Sequence, residues 1–378
     1  MKKVAIIEIY SHHVFVHTLA SALLASGHDV TVYVSDRIFR DLEPMFVSND
    51  VKPKFRVSRG KESDIRFLGR IRSEINKEFD FLFINSIQGY RILYFYLIKF
   101  KVITFGGAGR ISEFFGSRYR LRGFQNLRQI LHHNFTKIFL PRVARRLAGL
   151  IVHTKKAKDL AVNEGYKKPI HCMPFSLHVG RKNVEKTQPK LIKFMVTGSI
   201  SARSRDYFSL LNVFENLWKR GVKNIELTIL SSPKTEYGFR VYRRMKQLHA
   251  DGHPINYFSG WIREAEFVYH SAKADFLVAP ILKDYYGSGE ITSVEVESVR
   301  MGIPAFYPDW YYVDDEKKDS SIAFASYEHL QQMILSLSEN IELVETAKEL
   351  ALENSESFGI NNVALELNNF LMGEFENR

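Results

Sequence analysis

The 378-residue sequence contains one cysteine, Cys172. No intrachain disulfide can form, and a metal site built on cysteine is excluded. A reducing, cytoplasmic compartment is therefore expected. Long hydrophobic runs are missing too. The most apolar stretch, residues 90–105, is interrupted by Arg91, Lys99 and Lys101. It is too short and too charged to span a bilayer, although peripheral contact with a membrane surface stays open. Lys2 to Glu8 enters a strand pattern directly, without the small-residue cleavage site of a secretory signal. There is no internal repeat and no low-complexity tract. With 45% hydrophobic residues, disorder is not the expected state, and the length suits two domains better than one core. Positive charge is in excess, with a net +11. That favours an anionic partner: a nucleotide, an acidic membrane surface or a nucleic acid. Charge alone does not choose among them.

Hydrophobic patterning alternates between strand and helix. Val4 to Ile7 is a short apolar run of the kind found in buried parallel strands. A helical pattern follows from His13 to Ala25 and stops at Gly27. Val30 to Val34 completes a βαβ unit. Further strands are predicted at Phe81–Ile84, Val102–Phe105 and Gly149–His153, with a helix from Lys156 to Glu164. Pro174 to Pro189 is polar, lacks periodicity and reads as a linker. The alternation then restarts. Strands are predicted at Lys193–Thr197, Ile225–Leu230, Ile255–Phe258 and Phe276–Ala279. Helices are predicted at Asp206–Arg220, Tyr237–Ala250, Glu264–Ala272 and Thr292–Met301, and the tail from Tyr327 to Glu374 is almost all helical. This is an α/β chain of two doubly wound parallel sheets.

One segment carries chemistry by its composition. Gly287, Gly289 and their polar neighbours lie after the strand at Phe276 and before a helix. Thr292 can cap that helix, with Glu295 three residues on as the partner in a capping box. The first-turn amides then suit a phosphate, helped by the helix dipole, and Ile291, Thr292 and Ser293 are candidate binding residues. Glycine lets a ligand approach the backbone closely. Glu297 follows Ser293 by four residues on the same face, where it can accept hydrogen bonds from ribose hydroxyls.

Several stretches, taken in order, resemble the group-1 glycosyltransferases of the GT-B fold, which include glycogen-synthase-like and lipopolysaccharide mannosyl- and glucosyltransferases. They are Gly27 to Val32, Leu147 to Thr154 with Glu164, Gly165 and Met173, Phe194 to Ile200, Phe258 to Trp261, Ala272 to Pro280, and Val296 to Pro304. The resemblance covers nearly the whole chain. It implies two Rossmann-like domains facing across a cleft: an acceptor domain at 1–176, a nucleotide-sugar domain at 190–358, and a terminal helix at 359–378 packing back on the first domain. It implies a nucleotide-diphosphate sugar as donor substrate, no separate cofactor, and a saccharide or lipid-linked acceptor in surface polysaccharide synthesis. The leaving diphosphate would be stabilised by basic side chains and a helix N-terminus rather than by a metal.

The sequence departs from the family pattern in informative places. The first of the two glutamates that retaining members carry would fall at Gly289, and Glu290 is one residue off; it stays a candidate for the donor sugar. The basic residues after Gly198 would fall at Ser199 and Ser204. Arg203 and Arg205 stand beside them and can grip a diphosphate bidentately. Gly106 occupies the place of a catalytic histidine. His13, beside His12, and Glu113 are the candidates for a base in the first domain. Nine Arg and Lys residues between 110 and 146, interleaved with aromatics and a single acid, Glu113, suit an anionic membrane at the inner face of the cell. Nucleic acid is not expected. Two further readings stand beside a glycosyltransferase: a catalytically silent protein that binds nucleotide sugars, and a nucleotide-sugar epimerase of the same fold.

Overall fold

The computed structural model describes residues 1–10, 12–46, 51–60, 62–87, 91–107, 138–180, 191–286 and 290–375. They form two compact units, Met1–Ser176 with Ile360–Arg378, and Leu177–Gly359. Each unit is built on one parallel sheet.

The first unit holds seven strands, β1 (Lys3–Glu8), β2 (Asp29–Val34), β3 (Lys54–Val57), β4 (Phe81–Ile84), β5 (Ile103–Gly107), β6 (Gly149–Val152) and β7 (Ile170–Cys172). Their order is β3-β2-β1-β4-β5-β6-β7, and every pairing is parallel. Ile6 lies between Val32 and Phe83 in register. The connecting helices are α1 (His13–Ala25), α2 (Asp36–Leu42), α3 (Asp64–Glu78), α4 (Arg91–Leu97) and α5 (Lys155–Asn163). The apolar run of β1 is buried because helices cover both faces of such a sheet. Ala5, Ile7, Leu82, Ile84 and Leu150 pack with Phe67, Ile71 and Ile75 of α3 in one core.

The second unit holds six strands: β8 (Ile192–Thr197), β9 (Ile225–Leu230), β10 (Ile255–Tyr257), β11 (Phe276–Val278), β12 (Ala305–Pro308) and β13 (Ser321–Phe324). Their order is β10-β9-β8-β11-β12-β13. Its helices are α6 (Tyr207–Lys219), α7 (Glu236–Ala250), α8 (Glu264–Ala272), α9 (Lys283–Tyr286), α10 (Ser293–Met301), α11 (Tyr327–Glu339) and α12 (Ile341–Glu356). Phe194, Phe276 and Phe306, one from each of three adjacent strands, form an aromatic ladder with neighbouring centroids 5.4 and 5.5 Å apart. All three are fully buried, which stabilises the unit by about 1.5–3 kcal/mol per side chain.

The last helix, α13 (Ile360–Phe375), belongs to the first unit. Ser26 Oγ at the end of α1 donates to the Ala364 carbonyl at 2.9 Å, and the rings and amides of His28 and Asn368 meet at 3.2 Å. Phe370 stacks on His171 of β7 with centroids 5.0 Å apart.

Four strands escape the sequence pattern: β3, β7, β12 and β13. β12 is short and buried; the other three lie at the edges of their sheets and are mostly half-buried or exposed. An edge strand covered on fewer sides carries no continuous apolar run. The expected linker at 174–189 is also more ordered than its polarity suggests over its first part. Thr18 Oγ1 donates to the Phe175 carbonyl at 3.1 Å. The amides of His178 and Val179 donate to Phe358 and Arg300 carbonyls, each at 3.0 Å. Among the described residues no helix is long and apolar enough to cross a membrane.

Burial beneath Phe370 pushes the His171 pKa down from 6.5 to about 4. The native state then refuses a proton that the unfolded chain takes up, so stability is complete above pH 6.5 and falls as the pH drops towards 4. His171→Phe should remove that loss. The wild-type unfolding transition should weaken by roughly 2–3 kcal/mol more than the variant's between pH 7.5 and pH 4.5, read by calorimetry.

Candidate functional site

In the second unit the strand order reverses between β8 and β11. Ligands bind at such switch points, beyond the carboxyl ends of the strands. Here β8 ends in Thr197 and Gly198, and the chain beyond β11 leads through α9 to α10. Gly198 has φ +92, in the left-handed region that a side chain resists. A Cβ at this position would collide with both Ser293 Oγ and the Arg205 guanidinium. The carbonyl of Gly198 accepts a hydrogen bond from Tyr207 Oη at 3.1 Å. Burial raises the Tyr207 pKa to about 12, so the phenol keeps its proton and acts as a donor.

Arg205 is the centre of the arrangement. It is 3% exposed. The backbone around it is tied to β11's exit: Arg205 bridges Ile281, and Asp206 N–H donates to the Pro280 carbonyl at 2.8 Å. Its guanidinium donates to the Ser199 carbonyl at 3.3 Å and to Ser293 Oγ at 3.0 Å, and lies 5.7 Å from the centre of the Tyr286 ring. All these partners are neutral. Arg205 Nε is buried without a hydrogen-bond acceptor, and so is the neighbouring Thr197 Oγ1. Among the described residues no carboxylate pairs with this guanidinium. A buried cation without a counter-ion is costly, and an anion bound beside it would remove the cost.

Helix α10 supplies the other side. Thr292 is its N-cap, and its side-chain oxygen accepts from Glu295 N–H at 3.0 Å. Ser293, the first helical residue, is the one that meets Arg205. Its first-turn amides and dipole add to the positive potential. The second half of the expected capping box is absent. Instead of returning to the Thr292 amide, the Glu295 carboxylate meets Tyr311 Oη and Lys317 Nζ, each at 2.5 Å. A buried ammonium is a stronger partner for a carboxylate than a neutral amide. Nor is α10 a surface helix: every residue from Val294 to Met301 is buried.

The other sequence candidates are distributed as follows. Arg203 is exposed and lies 5.4 Å from the centre of the Tyr285 ring. Ile291 is half-buried. Glu297 is 5% exposed, one turn beyond Ser293, with Oε1 3.7 Å from the Arg300 guanidinium. Glu290 is half-buried, and its carbonyl lies 3.2 Å from Tyr311 Oη. Gly287 and Gly289 lie outside the described residues, as do Glu113 and the basic residues from Arg110 to Lys137. His13 belongs to the first unit, where it opens α1. His12 before it has φ 68, the one non-glycine residue with positive φ among those described. Upstream of it, Glu8 ends β1. Glu8 accepts from Asn85 Nδ2, Ser86 Oγ and Tyr10 N–H at 2.6, 2.5 and 2.6 Å.

Thus Gly198, Arg205, Thr292 and Ser293 converge, whereas Arg203 stands to one side. Thr197, Tyr207, Tyr286, Tyr311 and Lys317 are participants that the sequence patterns do not single out. Tyrosines and a lysine in loops and helix starts look like ordinary surface residues until the fold buries them.

No protein-family model and no curated sequence matches the chain. Solved structures do. The fold is similar over 100% of the chain to a glycosyltransferase from Rickettsia africae ESF-5, with TM-score 0.63, 12% identity and 99% of that chain covered. It is similar to Anabaena Alr3699/HepE in complex with UDP and glucose, with TM-score 0.66, 9% identity, and 99% and 100% of the two chains covered. It is also similar to a UDP-GlcNAc 2-epimerase from Neisseria meningitidis bound to UDP-GlcNAc, with TM-score 0.57, 13% identity, and 98% and 100% covered. At these identities the likeness establishes the fold: two Rossmann-like domains of the GT-B type.

Arg205→Met should separate stability from binding. Without ligand, the variant should unfold no more easily than the wild type and up to about 3 kcal/mol less easily. Pyrophosphate should stabilise the wild type and leave the variant unchanged. A thermal-shift titration reads both effects.

Proposed function

We propose that the protein is a glycosyltransferase that draws its sugar from a nucleotide diphosphate. The observation that carries this is the buried Arg205 guanidinium, without a carboxylate partner among the described residues, against Gly198 and the first turn of α10. That combination fits a diphosphate better than a neutral sugar, because only an anion offsets the buried charge. Glu297, one turn deeper, is assigned to the ribose hydroxyls, and Glu290, with Arg203, to the donor's sugar end and the diphosphate rim. Relatives in fold that bind UDP and glucose support this class of donor.

In the reaction, a hydroxyl of the acceptor would give its proton to a base and form a bond to the anomeric carbon. The bond from that carbon to the diphosphate would break, and the nucleotide diphosphate would leave with the electron pair. Arg205 and the amides of α10 meet the charge that develops on the leaving oxygen. His13 and Glu113, in the first unit, are the candidates for the base. The acceptor is assigned to the same unit. The basic segment 110–146, whose described part exposes Arg142, Arg145 and Arg146 beside Ile138, would present a lipid-linked saccharide from an anionic membrane.

A second reading has support of its own. Epimerases acting on UDP-GlcNAc share the fold, and the same anion site would hold their substrate. Incubation with nucleotide-diphosphate sugars separates the two. A transferase needs an acceptor and releases nucleotide diphosphate, whereas an epimerase returns an altered sugar nucleotide with no acceptor present. Binding without either product across donor and acceptor panels would leave a silent nucleotide-sugar binder.

Glu297→Ala should weaken a nucleoside diphosphate by about tenfold or more, in line with loss of a charged hydrogen-bond partner. Pyrophosphate affinity should stay within about threefold of wild type. Calorimetric titration of UDP, GDP, ADP and pyrophosphate tests this; equal losses for nucleotide and pyrophosphate would remove the ribose assignment.

A further inference from the structure

The first turn of α10 carries an acid where an anion is meant to bind. Glu295 is 2% exposed, two residues after Ser293. Two residues turn the helix by about 200°, so Ser293 faces Arg205 while Glu295 faces the opposite side. The distance across a helix is about 10 Å. A carboxylate that close, in a buried setting, repels a bound diphosphate appreciably. The positive end of α10 would be largely cancelled if Glu295 stood alone.

It does not stand alone. Lys317, 4% exposed, places Nζ 2.5 Å from Glu295 Oε1 and 3.5 Å from Asp314 Oδ2. Tyr311 Oη donates to Glu295 Oε2 at 2.5 Å, and the Glu290 carbonyl lies 3.2 Å from the same oxygen. The Thr292 backbone hydrogen-bonds to the same phenol oxygen. Burial and the Glu295 charge hold the Tyr311 pKa far above its ordinary value, so the phenol stays a donor. One cluster thus joins the 311–317 segment to Glu290, Thr292 and Glu295, directly behind the anion site. Neither the turn glycines nor the resemblance points to Lys317 or Tyr311.

We infer that Lys317 is a positioning residue for the anion site: placed between Glu295 and Asp314 behind the first turn of α10, it offsets their negative charge and so preserves the positive potential that a diphosphate needs, while Tyr311 ties the Glu295 carboxylate to the backbone at Glu290 and Thr292. The inference rests on the reading of Arg205 and α10 as a nucleotide-diphosphate site. Its own content is that anion affinity depends on the charge balance between Lys317 and Glu295.

The experiment is a calorimetric binding series on the full chain. Wild type, Lys317→Met, Glu295→Gln and the double variant are each titrated with the tightest binder among UDP, GDP and ADP, with its monophosphate, and with pyrophosphate. Lys317→Met should bind the diphosphate about tenfold or more weakly, because it exposes the site to an uncompensated carboxylate, and the monophosphate with a smaller loss. Glu295→Gln should bind at least as tightly as wild type. The double variant should regain most of the affinity that Lys317→Met loses, the remainder reflecting Asp314, which Lys317 also faces. A purely structural role would weaken all ligands alike and would not be rescued by Glu295→Gln. The inference is overturned if Lys317→Met binds like wild type, if the double variant stays as weak as the single one, or if Glu295→Gln binds more weakly than wild type. If Lys317→Met does not fold, the Glu295→Gln and double variants decide by the same criteria. If wild type binds pyrophosphate but no nucleotide, the nucleotide reading fails, and the pyrophosphate arm still decides the role of Lys317. If it binds neither, both readings fall.

Discussion

A buried guanidinium surrounded by neutral partners organises the second unit of this protein. Arg205 is held by the Ser199 carbonyl, by Ser293 Oγ and by the face of Tyr286. None of them carries a full negative charge. The free chain therefore holds an electrostatic debt, and the surrounding geometry is shaped by it. Gly198 must lack a side chain for Arg205 and Ser293 to approach β8. Tyr207, buried and protonated, fixes the carbonyl of that glycine. The pairing of Arg205 with Ile281 ties the loop after β8 to the loop after β11.

Around this charge the unit separates its two signs. Arg205 lies on one side of the start of α10, and Glu295 with Lys317 on the other. A helix start that bore only amides would suffice for a weakly bound phosphate. Placing an acid in the same turn strengthens the helix but would oppose a bound anion, and Lys317 stands beside that acid. The cluster of Glu295, Tyr311, Lys317 and Asp314 thus has an electrostatic reason to exist next to the site, in addition to anchoring the chain between β12 and β13.

The first unit uses a different device at the equivalent place. There the switch point lies between β1 and β4, and the group beyond the central strand is a carboxylate, Glu8, satisfied by Asn85, Ser86 and the Tyr10 amide. Beyond it, at the start of α1, His12 adopts a left-handed conformation. A satisfied acid offers no reason to bind an anion. The two units share a topology, yet they differ in the sign and satisfaction of the charge at the corresponding strand end. This difference is the reason the proposed diphosphate site falls in the second unit.

Much of the fold was legible in the sequence because buried parallel strands must be continuously apolar, as in Val4 to Ile7 and Phe194 to Val196. Helix ends such as Gly27 and the Thr292 cap were legible for the same kind of local reason. Gly198, Arg205, Thr292 and Ser293 could be named as candidates from their place after strands and before a helix. The edge strands β3, β7 and β13 could not, since they are half-covered and carry no full apolar pattern. Tertiary structure alone decided which arginine is buried: Arg203 and Arg205 are equivalent in the sequence, but backbone pairing with Ile281 turns only Arg205 inward. It also decided that Glu295 turns away from its own helix cap to Lys317, twenty-two residues on. Local spacing determines which groups a residue can reach within its own turn. Only the folded chain determines which distant charge offers a stronger partner.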